Sequence, residues 1–166
     1  MPDRESAKLR RMNTFRSALA AVCGLSIAAC GVAVAAEPSI SLSIDGLART
    51  SVTGEAHGKQ LACEGVALNA LLERDLGRKI EGLRGADLAS TVRISARDGY
   101  RVVFTLAELD PTIGGLKAYV VDRCDGAPLP DDVGPLRLMV PSDHRPARWI
   151  RQIESIEVDQ PASAKQ

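Results

Sequence analysis

The sequence lacks a surplus of charge of either sign. Its 166 residues include 21 Lys and Arg and 21 Asp and Glu, which gives a formal net charge of zero. Nucleic-acid-binding domains usually carry a basic excess and solvating tails an acidic block, so neither class is indicated. Aromatic residues are also scarce, at 3%, with a single tryptophan. With 45% hydrophobic and 25% charged residues, the chain has the composition of an ordinary globular protein rather than of a disordered or collagen-like one.

Cysteine motifs for metal or redox chemistry are absent as well. The chain has four cysteines and two histidines but no C-x-x-C, and no histidine lies within four residues of Cys63 or Cys124. Zinc sites and thioredoxin-type sites need such close spacings, so neither is indicated. For these two cysteines, three interpretations stay open. They form a disulfide that closes a loop of about 60 residues, they are two buried inert thiols, or one is a reactive or metal-binding thiol.

The N-terminus has the pattern of an export signal. The basic stretch KLRRMNTFR precedes the apolar run SALAAVCGLSIAACGVAVAA, and AVAAEP then offers a cleavage site. We predict a secretory signal over residues 1–36, with Met12 as an alternative start, and hence an exported, periplasmic protein. The motif IAAC at 27–30 leaves two alternatives, a lipid anchor on Cys30 or a retained membrane segment, which needs about 20 apolar residues.

The periodicity of apolar residues predicts a β-rich α+β domain with mixed sheets and one or two helices. No internal repeat is visible. Helical spacing from Val66 to Leu76, ended by Gly77, predicts an amphipathic helix. Alternating or continuous apolar runs predict strands at 40–44, 92–96, 102–104, 118–121, 136–140 and 153–158.

Local signals add detail at the chain's turns and ends. The Asp-Gly pair at 98–99 predicts a two-residue hairpin turn. Thr105, followed three positions later by Glu108, predicts the capping box of a short helix that Pro111 ends. The polar residues DQPASAKQ predict a disordered tail at 159–166.

Positive charge is concentrated in one loop of an otherwise slightly acidic domain. Residues 37–166 carry 16 Lys and Arg against 19 Asp and Glu. Within them Arg145, Arg148 and Arg151 follow one another at intervals of three, with Trp149 among them. One helical turn would bring the three guanidinium groups to one side, where their planar donors would match phosphate or carboxylate. A structural network with aspartates and a protein-contact patch are the other interpretations.

Three stretches, taken in order, resemble a known domain. They are EGVALNALL at 64–72, DGYRVVFTLAELDP at 98–111 and GPLRLMVPSDHRPARWIRQIESIEV at 134–158. Together they resemble the molybdopterin-binding domain of the sulfite-oxidase superfamily, in particular its short exported members, over residues 37–158. The resemblance implies a mixed α+β fold with several small sheets.

The resemblance also implies where molybdopterin would be held. Arg148 and Arg151 fall where the family places a basic pair against the cofactor, and Arg145 and Tyr100 are further candidates for that site. The family's molybdenum-ligating cysteine would lie well upstream of the helix that Cys63 directly precedes, so no metal ligand is assigned.

We therefore expect a non-catalytic module that binds a small anion or a pterin. One alternative is a molybdopterin-dependent oxidoreductase that works with a redox partner, and another is an envelope interaction protein. We expect no nucleic-acid partner, and contact with a membrane only through the signal or a lipid anchor.

Overall fold

The computed structural model describes residues 38–160. The expected export signal at 1–36, with Met12 and Cys30, and the part of the expected tail from residue 161 lie outside the described residues. Over 38–160 the chain forms two antiparallel sheets and two short helices, which agrees with the predicted α+β class. Within this range, no helix combines the length and the apolar character that crossing a membrane requires.

The larger sheet is organised around one central strand. Its strands are β1 (Arg49–Ala56), β2 (Lys59–Ala67), β5 (Tyr119–Cys124), β6 (Ala127–Pro128) and β7 (Arg137–Met139). β5 pairs with β2 on one side and with both β6 and β7 on the other, while β1 forms an edge beside β2. The predicted buried strands at 118–121 and 136–140 therefore lie side by side as β5 and β7.

A disulfide joins two strands of this sheet. Cys63 of β2 lies opposite Cys124 of β5 in the strand register, and their sulfurs are bonded. Of the three interpretations that the sequence left open, the structure has the first.

The smaller sheet contains β3 (Thr91–Ala96), β4 (Arg101–Thr105) and β8 (Ile153–Asp159), in the order β4-β3-β8. The hairpin predicted at the Asp-Gly pair is confirmed, because β3 and β4 pair across it. Its loop has three residues, 97–99, instead of the predicted two, since the N–H of Ala96 donates to the carbonyl of Tyr100 and, of the Asp-Gly pair, Gly99 alone has a positive φ, 84°. Val92, Ile94 and Phe104 point from this sheet into the core and are fully buried. β8 extends to Asp159, one residue into the segment predicted as a tail.

Both helices match their sequence signals closely. α1 (Leu68–Leu76) begins two residues later than predicted, because Val66 and Ala67 continue β2, and it ends at Gly77 with φ 64°. α2 (Leu106–Leu109) has the predicted capping box. The backbone N–H of Glu108 donates to the Thr105 hydroxyl at 3.1 Å, and the N–H of Thr105 donates to the Glu108 carboxylate at 2.8 Å.

The strand predicted at 40–44 is wrong. This segment is extended but has only one isolated bridge next to it, between Ser39 and Glu157. Arg74 of α1 donates to the backbone carbonyl oxygens of Ser41 at 2.9 Å and Ser43 at 2.5 Å. A guanidinium thus takes acceptors that a neighbouring strand would have used. The alternating pattern instead reflects the packing of Ile40, Leu42 and Ile44 against the core.

Candidate functional site

A cleft of about 520 Å³ lies where the β3–β4 hairpin, the β1–β2 turn and the segment between β7 and β8 come together. Two arginines line it, Arg137 at the start of β7 and Arg151 just before β8. Trp149, Tyr100 and His57 complete most of its wall. We call this feature the arginine cleft.

Arg137 is a partly buried cation with no anionic partner among the described residues. Its Nε is buried without a hydrogen-bond partner, and its guanidinium carbon lies 5.5 Å from the centroid of the Trp149 ring. Burial lowers the pKa of Arg137, and the positive charge of Arg151 lowers it further. Burying a charged donor without a partner lowers the stability of the fold. Within residues 38–160, Arg137 is the cation that has a buried nitrogen without a hydrogen bond.

Arg151 faces the same cleft from an exposed position. Its place is set by the next residue, Gln152, whose φ of 47° turns the chain. The backbone N–H of Gln152 donates to Val133 at 2.8 Å, and its carbonyl accepts from the N–H of Arg97 at 3.0 Å. The Arg151 side chain itself has no hydrogen bond or ion pair within residues 38–160.

Trp149 forms a rigid wall of the cleft. It is 5% exposed, and its indole N–H donates to the carbonyl oxygen of Val140 at 2.9 Å. The far edge of the ring lies against Gly54 of β1, so closely that a Cβ at that position would collide with it. Glycine at position 54 therefore lets the larger sheet pack against the wall.

Tyr100 and His57 form the rim. Tyr100 is 51% exposed, yet its hydroxyl donates to the carbonyl oxygen of Ala147 at 3.0 Å, which ties the β3–β4 hairpin to the arginine-rich loop. His57 lies in the two-residue β1–β2 turn with φ 53°. Asp98 also lines the cleft, and one of its carboxylate oxygens accepts from the N–H of Tyr100 at 2.9 Å. Two positive side chains thus share the cleft with one negative side chain.

Arg148 is held outside the cleft by acidic partners. Its guanidinium donates to both carboxylate oxygens of Asp143, at 2.9 and 2.5 Å, and lies 3.6 Å from the carboxylate of Glu108. It also lies over the ring of Phe104, 4.8 Å from the centroid. Hydrogen bonding to Asp143 is the main cause that raises the pKa of Arg148. These contacts correspond to the structural network that the sequence left open.

The three loop arginines do not form the single face that their spacing suggested. Between Arg145 and Arg151, the helical part is a 3-10 turn of three residues, Pro146–Arg148. Arg145 precedes this turn and is exposed outside the cleft, whereas Arg151 follows it and enters the cleft. Of the four predicted site residues, the structure brings Arg151 and Tyr100 together and leaves Arg145 and Arg148 elsewhere.

Replacing Arg148 with alanine is expected to destabilise the fold without changing the arginine cleft. The change removes a bidentate ion pair and a ring contact that are partly shielded from water, so we expect the free energy of unfolding to fall by about 1–2 kcal/mol. Urea unfolding measures this difference. Arg145→Ala, which removes the same charge from an exposed side chain, serves as control, and an equal effect of both changes would refute the structural role of Arg148.

Sequence reasoning missed Arg137 and gave His57 no binding role. Arg137 sits in the run GPLRLMVP, between the buried residues Leu136 and Leu138. A charged residue inside an apolar strand is rarely buried without a partner, so the position of Arg137 in this run could have marked it as a candidate site residue. For His57 no sequence signal was available, because its position at the cleft follows from how the two sheets pack.

Neither family models nor curated proteins guide the interpretation of the cleft. No protein-family model matches the chain, and the search of curated proteins gave no match either. Within residues 38–160, no three His, Cys, Asp or Glu side chains are grouped so as to hold a metal ion. The interpretation therefore depends on the arginines, the tryptophan and the rim.

Proposed function

We propose that this protein is an exported, non-catalytic binding module that holds a small anion in the arginine cleft. The observation that carries the proposal is that Arg137 and Arg151 both line the cleft and that neither has an anionic partner within residues 38–160. An anion between Arg137 and Arg151 would accept hydrogen bonds from both and remove their mutual repulsion. Phosphate and carboxylate are the groups whose geometry matches the guanidinium donors.

Export is part of the proposal and has two supports. The first is the signal pattern in the sequence of residues 1–36. The second is the disulfide between Cys63 and Cys124, because disulfides persist mainly in oxidising compartments such as a periplasm.

The molybdopterin that the family resemblance implies fits this chain only at its phosphate end. Arg137 and Arg151 would hold the phosphate, since both line the cleft and guanidinium donors match the geometry of phosphate. Molybdenum in that family is bound by a cysteine thiolate, and Cys63 and Cys124 are bonded to each other. The metal end therefore does not fit the described residues, and we propose a scaffold of the sulfite-oxidase molybdopterin-binding type that holds an anion without metal chemistry.

Binding of inorganic phosphate tests the proposal. We expect calorimetry to detect phosphate binding to the wild-type protein, and we expect Arg151→Gln and Arg137→Met each to weaken it by about tenfold or more, because each change removes charge-assisted hydrogen bonds. Arg145→Gln removes a charge from the same loop outside the cleft and should leave the affinity within about twofold.

The stability of the variants separates loss of binding from loss of fold. Arg137→Met replaces an unpaired buried cation with an apolar side chain of similar length, so its melting temperature should not fall. The proposal fails if phosphate does not bind, or if Arg145→Gln weakens binding as much as Arg151→Gln does. Molybdenum and pterin analysis of protein from its native host tests the oxidoreductase alternative, which a stoichiometric metal content would favour.

A further inference from the structure

The two outer edges of the smaller sheet differ in how they are covered. At the β8 edge, the N–H of Ile40 donates to the carbonyl of Ile156 at 2.8 Å, and the N–H of Val158 donates to the carbonyl of Pro38 at 3.1 Å. The incoming chain thus covers β8. At the other edge, β4 pairs with β3 alone among the described strands. A strand edge with unused backbone groups is a template for another strand.

The register of the hairpin shows which backbone groups of β4 are unused. The N–H of Ala96 donates to the carbonyl of Tyr100 at 2.9 Å, and this bond sets the alternation, so that Val102 and Phe104 exchange hydrogen bonds with β3. The N–H and C=O groups of Arg101 and Val103 then point away from the sheet. Neither residue has another backbone hydrogen bond within residues 38–160, and Val103 is 54% exposed.

The direction of β4 connects this edge to the arginine cleft. β4 begins at Arg101, directly after Tyr100 at the rim of the cleft, and runs away from the cleft toward Thr105. A peptide that pairs antiparallel with β4 would therefore have its C-terminus at the end of β4 that adjoins the cleft. A parallel peptide would bring its N-terminal ammonium toward the cleft, where the two positive charges of Arg137 and Arg151 outnumber the negative charge of Asp98 and would repel it. The charge of the cleft thus favours the antiparallel orientation, which is also the more stable pairing.

We propose that the anion held in the arginine cleft is the C-terminal carboxylate of a partner protein, whose last residues pair antiparallel with Arg101 and Val103 of β4. This inference rests on the anion-binding function proposed above and names the source of the anion. Backbone pairing supplies affinity that does not depend on sequence, and the two arginines select a free chain end.

The free edge of β1 offers a rival template with a different geometry. The two-residue turn pairs Ala56 with Lys59, so alternate residues of β1, among them Ser51 and Thr53, point their backbone groups outward. β1 runs toward His57 and the cleft, so only a parallel peptide would bring its carboxylate there. This edge therefore provides a matched control for the edge of β4.

The test uses peptides that differ only at the C-terminus. A library of random octapeptides with free carboxylates is screened against the protein, beside the same library with C-terminal amides. We expect enrichment from the free-acid library alone, and amidation of an enriched peptide should weaken its binding by about tenfold or more. If the free-acid library yields no enriched sequence, or if amidation changes nothing, the inference is overturned.

Variants then locate the peptide on the fold. Val103→Pro removes an N–H that points away from β3, which an edge strand tolerates, and should weaken peptide binding by about tenfold, while Val103→Thr keeps the N–H and should not. Thr53→Pro, the equivalent change on β1, should leave the affinity unchanged. A loss with Thr53→Pro instead of Val103→Pro would move the peptide to the other edge and overturn the proposal.

Phosphate binding keeps the two proposals distinguishable. Val103→Pro should still bind inorganic phosphate, which shows that the fold and the cleft are intact. As a check that leaves the protein unchanged, N-methylation of the peptide residue opposite Val103 should weaken binding in the same way. If phosphate binds but the peptide carboxylate is irrelevant, the anion site stands and the partner inference fails. If phosphate does not bind to the wild-type protein, the proposed function itself fails.

Discussion

Replacing both Cys63 and Cys124 with alanine is expected to lower the free energy of unfolding by about 4 kcal/mol. The disulfide joins positions 61 residues apart. In the unfolded chain it removes the conformational freedom of that loop, and the entropy lost grows with loop length. The bond also fastens β2 to the central strand of the larger sheet, and that strand pairs Val121 with Arg137 of the cleft. Loss of the disulfide should therefore weaken the larger sheet, to which Arg137 belongs.

Urea unfolding with and without a thiol reductant measures this effect. Reductant should lower the stability of the wild-type protein toward that of the double variant and leave the variant unchanged. Reduction also separates the crosslink from packing, because it keeps both sulfur atoms in place. A wild-type protein that responds to reductant no more than the variant would contradict the disulfide and remove one support for export.

The parts of the fold that could be predicted from the sequence are those that depend on neighbouring residues. The Asp-Gly turn, the capping box of Thr105 and Glu108, and the end of α1 at Gly77 each involve groups within a few positions of one another. Their geometry is fixed by local backbone preferences and short hydrogen bonds. The segment at 40–44 shows the limit, because its partner is Arg74, about thirty positions away, and an alternating pattern cannot distinguish a strand from a docked extended chain.

The candidate site depends on contacts that spacing alone does not determine. Arg148 and Arg151 look equivalent in the sequence. In the structure, however, Arg148 is bound by the carboxylate of Asp143, whereas Arg151, which precedes the turn at Gln152, lines the cleft. Arg137 lies in another element and reaches the cleft because β7 pairs with β5. The pairing of Cys63 with Cys124 follows in the same way from the register between β2 and β5.

Asp110 connects two segments of the chain through one buried carboxylate. It is fully buried at the end of α2, and one carboxylate oxygen accepts from the N–H of Leu83 at 2.7 Å. The other oxygen accepts from the N–H and the hydroxyl of Thr112, at 2.7 and 2.8 Å. Burial alone would raise the pKa of Asp110, but the hydrogen bonds outweigh it and lower the pKa from 3.8 to about 2.

Replacing Asp110 with asparagine is expected to lower the melting temperature by about 10 °C, because the amide group of asparagine would turn a donor toward buried N–H groups that need an acceptor. Asp132→Asn, the same change at an exposed carboxylate, is the control and should shift the melting temperature by about a degree or less. A small effect of Asp110→Asn would mean that water or another acceptor satisfies these donors.

The pH dependence of the difference between wild type and Asp110→Asn gives an independent check. The folded-state pKa of Asp110 lies below its unfolded value of 3.8, so its ionised form stabilises the fold fully above that value. This stabilisation should be lost as the pH falls through about 2, the folded-state pKa. The stability gap between the two proteins should therefore be constant from neutral pH to about pH 5 and narrow only in stronger acid. A gap that is as wide at about pH 2 as at neutral pH would show that the charge of Asp110 does not carry the effect.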